Sequence, residues 1–286
     1  MKDLKFLFLG VLFAFFWSSA SVAAKIGIKF MEPLVLFQFR FLLAGISLLV
    51  YHIVFEKFQM PKKQEWIALS VFGFFNITLY LSLFVLGINE VASGIGSLST
   101  ALTPVLMTMI SGFYLGKKIK TNQIVGLILG MFGVGLAVWP LLFNSHATYR
   151  GILFLILSML SYSVGSIYFS EKKWNLSRIA INGWQVLLGG LFMLPLTIFL
   201  NQKPIVFSWQ SGLSILWLAF PVSILAVNLW LRLVKLNTVK ASFFLFLCPI
   251  FGFIFSSVLL HEPFTIHTLT GLISVISGLY ISQKNI

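Results

Sequence analysis

Residues 126–133 read GLILGMFG, and residues 271–278 read GLISVISG. The same spacing of 145 residues relates Pro104 to Pro249. Proline and glycine restrict or release the backbone at particular points, so their shared spacing means more than a match among common apolar residues. The sequence therefore predicts one helical unit that is used twice.

The composition indicates an integral membrane protein. Hydrophobic residues make up 59% of the chain and charged residues only 9%, whereas about a quarter of the residues of a soluble domain are charged. The net charge of +13 is scattered through short polar stretches and forms no basic face, so we expect no nucleic-acid partner. Cys248 is the only cysteine, which excludes an intramolecular disulfide, and the four histidines lack metal-ligand spacing. We expect neither a metal nor a cofactor.

Hydropathy predicts ten membrane-spanning helices, five in each half of the chain. A span needs about 20 mostly apolar residues. The segments that qualify are roughly 4–24, 33–55, 66–87, 92–115, 123–142, 151–170, 179–200, 211–231, 241–260 and 266–282. We predict an all-α polytopic membrane protein with two repeats, residues 1–145 and 146–286. Because each repeat holds an odd number of spans, the second is expected to be inverted, as in many secondary transporters.

Basic residues set the expected orientation. Of the 20 Lys and Arg residues, 15 fall on one side of the predicted membrane and four on the other. The positive-inside bias then places both termini in the cytoplasm and the protein in the inner membrane. The start of the chain also resembles a signal peptide. Cleavage would remove one member of the first unit while its counterpart stayed in the second, so we expect the segment to be retained.

Short motifs follow one another in the order of the expected helices. They are Trp17-Ser18-Ser19 with Lys25, Pro33 with Phe37 and Arg40-Phe41, Ala101-Leu102-Thr103-Pro104 ahead of Leu115-Gly116, Leu247-Cys248-Pro249 ahead of His261-Glu262-Pro263, and the glycine pairs at 126/133 and 271/278. Together they resemble EamA-type carriers of the drug/metabolite transporter superfamily over nearly the whole chain. The resemblance implies transport of small metabolites, often amino acids or related compounds.

The chain departs from that family pattern in two places. Gly116-Lys117 stands where the family usually has Gly-Glu, and the aromatic residue common in the middle of the eighth helix is replaced around Val227-Asn228. These differences bear on the substrate and leave the expected fold unchanged.

Polar and aromatic side chains within the spans mark a predicted substrate site, because polar groups in hydrocarbon usually face protein or water. Aromatic rings beside small hydroxyl groups suit a cavity for an amphipathic solute. Trp17, Ser21 and Lys25 share one face of the first helix, and Tyr162 and Ser166 repeat the first two at the offset of 145. The predicted substrate-binding residues are Trp17, Ser21, Lys25, Asn76, Tyr80, Tyr162, Ser166, Asn228 and Trp230.

Each candidate also has a structural interpretation. Lys25 could extend to the lipid headgroups, and serines and tyrosines often only join helices. Arg40 is expected to play a structural role, paired with Glu32 or with carbonyl groups at a helix end. Pro104 and Pro249 are expected well inside their helices, as kinks that take part in gating.

The sequence favours a secondary transporter for an amino acid or derivative over an enzyme. All seven acidic residues fall at or near span ends, and no phosphate-binding glycine loop is present. Open alternatives are a lipid or lipid-linked sugar flippase, a membrane enzyme, and a noncatalytic membrane assembly partner. Expected partners are a small metabolite, membrane lipids and a possible second copy in a homodimer.

The scarcity of buried carboxylates predicts uniport or exchange, or else coupling at an end group such as Glu262. A proton gradient imposed across proteoliposomes should then cause no accumulation of substrate, unless Glu262 couples proton movement to transport. Accumulation that is lost in Glu262→Gln, and kept in Glu32→Gln, would establish coupling at that end group and exclude pure exchange.

Overall fold

A computed structural model describes residues 2–56, 59–91, 93–142, 148–260 and 266–283 as a succession of helices. In chain order these are α1 (Lys2–Gly27), α2 (Pro33–Phe55), α3 (Lys63–Gly73), a first π-helical segment (Phe74–Leu79), α4 (Tyr80–Ile88), α5 (Ser93–Thr100), α6 (Leu102–Phe113), α7 (Thr121–Leu142), α8 (Tyr149–Glu171), α9 (Arg178–Leu200), α10 (Trp209–Trp217), a second π-helical segment (Leu218–Ala226), α11 (Val227–Leu236), α12 (Thr238–Ser242), a 3₁₀ segment (Phe243–Phe246), α13 (Leu247–Leu260) and α14 (Ile266–Gln283).

Eight stretches within these residues are long and apolar enough to cross a membrane. They are α1, α2, α3 with α4, α7, α8, α9, α10 with α11, and α12 with α13; α6 is a shorter apolar helix. Large apolar side chains point outward, with Phe8, Phe113 and Phe199 being 64%, 86% and 83% exposed. The chain is therefore an all-helical, multi-pass membrane protein. Eight of the ten predicted spans match these stretches, whereas the predicted segments 92–115 and 266–282 are helical where described but are not among the eight.

Regular α-helical geometry is interrupted just before each of the two prolines that the sequence predicts as kinks. Pro104 is the third residue of α6 and Pro249 the third residue of α13. The first turn of a helix tolerates proline because its N–H groups have no intrahelical partner. The irregular geometry lies in the turn before each proline. α5 ends at Thr100, and a 3₁₀ segment precedes α13. Pro104 thus follows a one-residue break at Ala101, and Pro249 lies within the continuous apolar stretch Thr238–Leu259, so both positions remain candidates for bends.

Two spans contain a π-helical segment in their middle. Residues Phe74–Leu79 separate α3 from α4, and residues Leu218–Ala226 separate α10 from α11. Side chains from neighbouring helices satisfy carbonyl groups there: Ser161 donates to the Phe75 oxygen at 2.7 Å, and Asn182 donates to the Ser223 oxygen at 2.9 Å. Such segments are rare and often lie at functional sites.

Helices α7 and α14 pack at the distance that glycine permits, and they run antiparallel. A Cβ added at Gly133 would lie 2.7 Å from the Gly271 carbonyl oxygen, and one at Gly126 would lie 2.8 Å from that of Gly278. Ser274 donates across the same contact to the Leu129 oxygen at 2.9 Å. No side chain could be accommodated at these points without a shift of backbone.

The α2–α9 contact follows the same plan. A Cβ at Gly45 would lie 3.3 Å from the Gly183 carbonyl oxygen. Seven residues earlier on α2, Gln38 donates to the Gly190 oxygen at 2.9 Å. These helices are therefore also antiparallel, and Gly45 leaves room for the Leu187 side chain of α9.

We predict that Gly133→Ala lowers the free energy of unfolding by about 1–3 kcal/mol, because α7 and α14 must move apart to admit the methyl group. Gly135, two residues along the same helix, is the matched control, since a Cβ there would meet nothing within 4 Å. Gly135→Ala should be neutral or stabilising by up to about 1 kcal/mol. Unfolding in detergent micelles measures both, and equal losses would contradict the close packing.

Candidate functional site

Five aromatic side chains meet at the centre of the helix bundle, and we call them the aromatic cluster: Phe13, Trp17, Tyr80, Tyr162 and Trp230. They come from α1, α4, α8 and α11. The Tyr162 ring lies 6.0 Å from Trp17, 4.9 Å from Tyr80 and 5.8 Å from Trp230, measured between ring centroids. Phe13 stacks on Trp230 at 4.9 Å. Tyr162 is thus the common neighbour of three predicted site residues.

Ser166 joins this cluster to the first π-helical segment. Its hydroxyl oxygen accepts hydrogen bonds from Asn76 Nδ2 at 3.3 Å and from Trp230 Nε1 at 3.2 Å. Gly165 leaves room for the approach, because a Cβ there would lie 3.1 Å from the Asn76 backbone nitrogen. The structure therefore brings six of the nine predicted substrate-binding residues together, namely Trp17, Asn76, Tyr80, Tyr162, Ser166 and Trp230.

The aromatic cluster is closed in this conformation. Tyr162 is 4% exposed and Trp230 1% exposed, so the rings fill the space that the sequence predicts as a cavity. The Tyr162 hydroxyl is buried beside the Ser166 hydroxyl, and it makes no hydrogen bond of standard geometry within the described residues. An unpartnered buried hydroxyl costs about 1–3 kcal/mol. A solute that entered between the rings could remove this cost by bonding to Tyr162.

Three predicted residues lie apart from the cluster. Ser21 and Lys25 are exposed on the last turns of α1, where Ser21 donates to the Ser18 carbonyl oxygen at 2.9 Å. Asn228 precedes Trp230 by two residues, which places it on another face of α11. Its Nδ2 donates to the Ile224 oxygen at 2.8 Å, while its buried Oδ1 has no partner among the described residues.

Arg40 is buried on α2 and does not pair with a carboxylate among the described residues. Its Nε donates to Ser223 Oγ, in the second π-helical segment, at 2.6 Å. Its guanidinium carbon lies 5.8 Å from the Phe37 ring centroid and 5.2 Å from that of Phe41. The expected pairing with Glu32 is therefore wrong, and a neutral hydroxyl and two rings surround the charge instead.

These contacts offset the burial of Arg40 only in part. Burying one charge costs several kcal/mol even after relaxation. A desolvated cation–π contact returns about 2 kcal/mol, and a hydrogen bond to a charged group about 1.5–3 kcal/mol. The sequence missed this site because it shows a buried arginine but does not show that no acid comes near it.

Carboxylates hold the α8–α9 connection, residues 172–177, at one end of the bundle. Lys117 Nζ lies 2.6 Å from Glu171 Oε1, and the Asn175 backbone donates to Glu65 at 3.2 Å. A cavity of about 280 Å³ lies beside the ion pair and is lined by Lys117, Ser170, Glu171 and residues 234–239. This end of the bundle is therefore tied by contacts between the two halves of the chain.

Glu56 completes that set of carboxylates. It accepts from Ser177 and lies 2.7 Å from His52 Nδ1. Burial opposes its ionisation, but the two hydrogen bonds and the attraction of His52 outweigh that effect, so the pKa of Glu56 lies below its usual value of 4.5. The spacing of four residues between His52 and Glu56 is a signal that sequence reasoning could have used. Glu262, the predicted coupling residue, lies outside the described residues.

A bundle of apolar helices with an aromatic and polar centre is typical of membrane transporters of small molecules. The chain belongs to the EamA-like transporter family, whose model matches residues 4–139 and again residues 149–283. The resemblance seen in the sequence motifs is thereby confirmed.

Relatives with the same description occur in bacteria and archaea. The chain is 27% identical to the uncharacterized transporter YvbV of Bacillus subtilis, over 92% of this chain and 86% of that protein. It is also 27% identical to an uncharacterized transporter of Archaeoglobus fulgidus, over 93% and 94% of the two chains. A solved structure described as a crystal structure of a protein matches with a TM-score of 0.79 at 14% identity, over 97% of this chain and 96% of that one. The last comparison supports the fold alone.

We predict that Ser166→Ala lowers the free energy of unfolding by about 1–3 kcal/mol for each donor left unpaired, Asn76 and Trp230. Ser163→Ala is the matched control. Ser163 is equally buried on α8, but its hydroxyl donates to the Met159 carbonyl of its own helix at 2.7 Å. Its loss should cost less than about 1 kcal/mol, because that carbonyl keeps its helical partner. Chemical unfolding in detergent measures both, and equal effects would show that Ser166 does not organise the cluster.

Proposed function

We propose that the protein is a secondary transporter of the inner membrane that moves a small metabolite, an amino acid or derivative, by alternating access. In this proposal ten spans form two inverted repeats, residues 1–145 and 146–286, with both termini in the cytoplasm. α5 with α6 forms the fourth span, and α14 forms the tenth.

Contacts between equivalent helices support the inverted arrangement. Gly126 and Gly133 of α7 match Gly271 and Gly278 of α14 at the offset of 145, and Gly126 faces Gly278 while Gly133 faces Gly271. Equivalent helices that run antiparallel are what an inversion requires. The π-helical segments and the interruptions before Pro104 and Pro249 also occur at matching places in the two halves.

The observation that carries the proposal is the contact of Trp17 with Tyr162. They occupy equivalent positions in the two repeats and meet at 6.0 Å in the centre of the bundle. A site on the axis that relates two inverted repeats is reached from either side when one repeat rocks against the other. The aromatic faces and the buried Tyr162 hydroxyl suit an amphipathic solute with a polar group.

In this proposal the closed side is the one that carries the α8–α9 connection, and the contacts there support that assignment. In the proposed orientation they lie at the cytoplasmic face, where Lys117 and Glu171 join the two repeats. Opening to the cytoplasm then requires these contacts to break. Pro104 and Pro249 act in this proposal as the points at which the fourth and ninth spans bend.

We predict that Trp17→Ala and Tyr162→Ala each reduce counterflow of the transported solute in proteoliposomes at least tenfold, because each removes one wall of the central site. A mixed pool of labelled amino acids, amines and nucleoside-type metabolites identifies the solute. Trp209→Ala and Tyr149→Ala are matched controls, since these side chains are 74% and 95% exposed. The controls should transport at the unmodified rate.

The same preparation separates the alternatives. Unmodified, folded protein that moves no pool member but moves a labelled lipid between leaflets would overturn the metabolite carrier in favour of a flippase. If all four variants transport at the unmodified rate, the aromatic cluster is not part of the substrate-binding site.

A further inference from the structure

Arg40 carries a charge within the membrane that the proposed transport pathway does not yet use. Among the described residues, its one hydrogen bond is that of Nε to Ser223 Oγ at 2.6 Å. A guanidinium group has five N–H donors. The acids that form ion pairs in the described chain are Glu56, Glu90 and Glu171, and their partners are His52, Arg150 and Lys117. Arg40 thus has donors and charge to offer to a ligand.

We propose that Arg40 binds the carboxylate of the transported solute. The inference rests on the proposed function, and it adds that a solute of the central site must carry a carboxylate. A carboxylate accepts two parallel hydrogen bonds from a guanidinium group, a geometry that lysine and neutral groups do not reproduce.

Arg40 is placed to serve the aromatic cluster. Phe41 and Phe37, the rings that flank its guanidinium group, pack in one hydrophobic cluster with Tyr80. Tyr80 in turn contacts Tyr162 at 4.9 Å. A solute whose apolar part lies among the rings therefore has Arg40 at the edge of its site.

The groups around Arg40 would also allow its hydrogen bond to Ser223 to be exchanged for one to a solute. Ser223 lies in the second π-helical segment, and Asn182 binds the backbone oxygen of the same residue at 2.9 Å. Asn182 accepts from Gln185 Nε2 at 3.1 Å, while the buried Gln185 Oε1 has no partner among the described residues. This polar network holds Arg40 in the closed state through neutral groups alone. A carboxylate is a stronger acceptor than the Ser223 hydroxyl and would replace it as the protein opens.

A purely structural role predicts a different behaviour. If Arg40 only ties α2 to the second π-helical segment, its loss should affect all solutes alike and should lower stability. If it binds a carboxylate, its loss should discriminate between an acid and the same molecule without the acid.

The test uses the full-length chain in proteoliposomes and competition against counterflow of the solute identified above. Unmodified protein should prefer the free acid over its methyl ester and its amide by at least tenfold in half-inhibitory concentration. Arg40→Gln should abolish that preference, and Arg40→Lys should retain part of it. Arg150→Gln, which removes a charge from a side chain that is 71% exposed, should keep the full preference.

Each outcome decides a separate question. If the unmodified protein accepts the ester, the amide and the acid equally, the carboxylate site is refuted while the proposed transport function still holds. This comparison does not depend on whether any variant folds. Arg40→Gln that transports with an unchanged preference also refutes it. Unmodified protein that transports no solute refutes the proposed function, and the inference falls with it.

Discussion

Hydrocarbon offers no hydrogen bonds to a peptide group, so each break in a membrane helix must be covered by protein. This chain leaves regular α-helical geometry at the two π-helical segments, at Ala101 and at Phe243–Phe246. Ala101 is 1% exposed, and all four residues of the 3₁₀ segment are buried. Side chains of neighbouring helices bind the freed carbonyl groups, as Ser161 does at Phe75. The irregular segments thus require a surrounding bundle, and they place polar atoms at its centre.

The bundle itself is held by close backbone approach and by aromatic packing. Lipid is as apolar as leucine, so burying leucine against leucine gives the helices little reason to associate. Glycine contacts instead bring α7 to α14 and α2 to α9, with short hydrogen bonds such as that of Gln38 to Gly190. The aromatic cluster is built by four other helices, α1, α4, α8 and α11. Tight packing at the periphery therefore permits a centre built from large rings and few polar groups.

The sequence predicted the helices and six residues of the central site, but it did not predict how the side chains pack there. Hydropathy located the spans because their length is set by the membrane. The repeat offset brought out Trp17 and Tyr162, which do meet. It could not show that the rings fill their own cavity, since that depends on the angles between helices. Helical periodicity grouped Ser21 and Lys25 with Trp17, but α1 extends past the cluster before reaching them.

Local chemistry also competed with expectations from single residues. Pro104 and Pro249 were expected to kink their helices, and regular α-helical geometry is interrupted just before each one, at Ala101 and at Phe243–Phe246. Arg40 was expected to pair with Glu32 or with carbonyl groups at a helix end, and the fold supplies Ser223 and two phenyl rings. Which groups surround a buried charge is fixed by tertiary packing, which a single sequence does not contain.

The glycine contacts have a consequence for the symmetry of the fold. At α7–α14, Gly133 meets Gly271 and Gly126 meets Gly278; at α2–α9, Gly45 meets Gly183 and Gln38 meets Gly190. In each case exchanging the two equivalent helices reproduces the same contact, which defines an isologous interface. The surface that one helix presents is therefore also the surface that its equivalent presents, so each contact is self-complementary within one polypeptide.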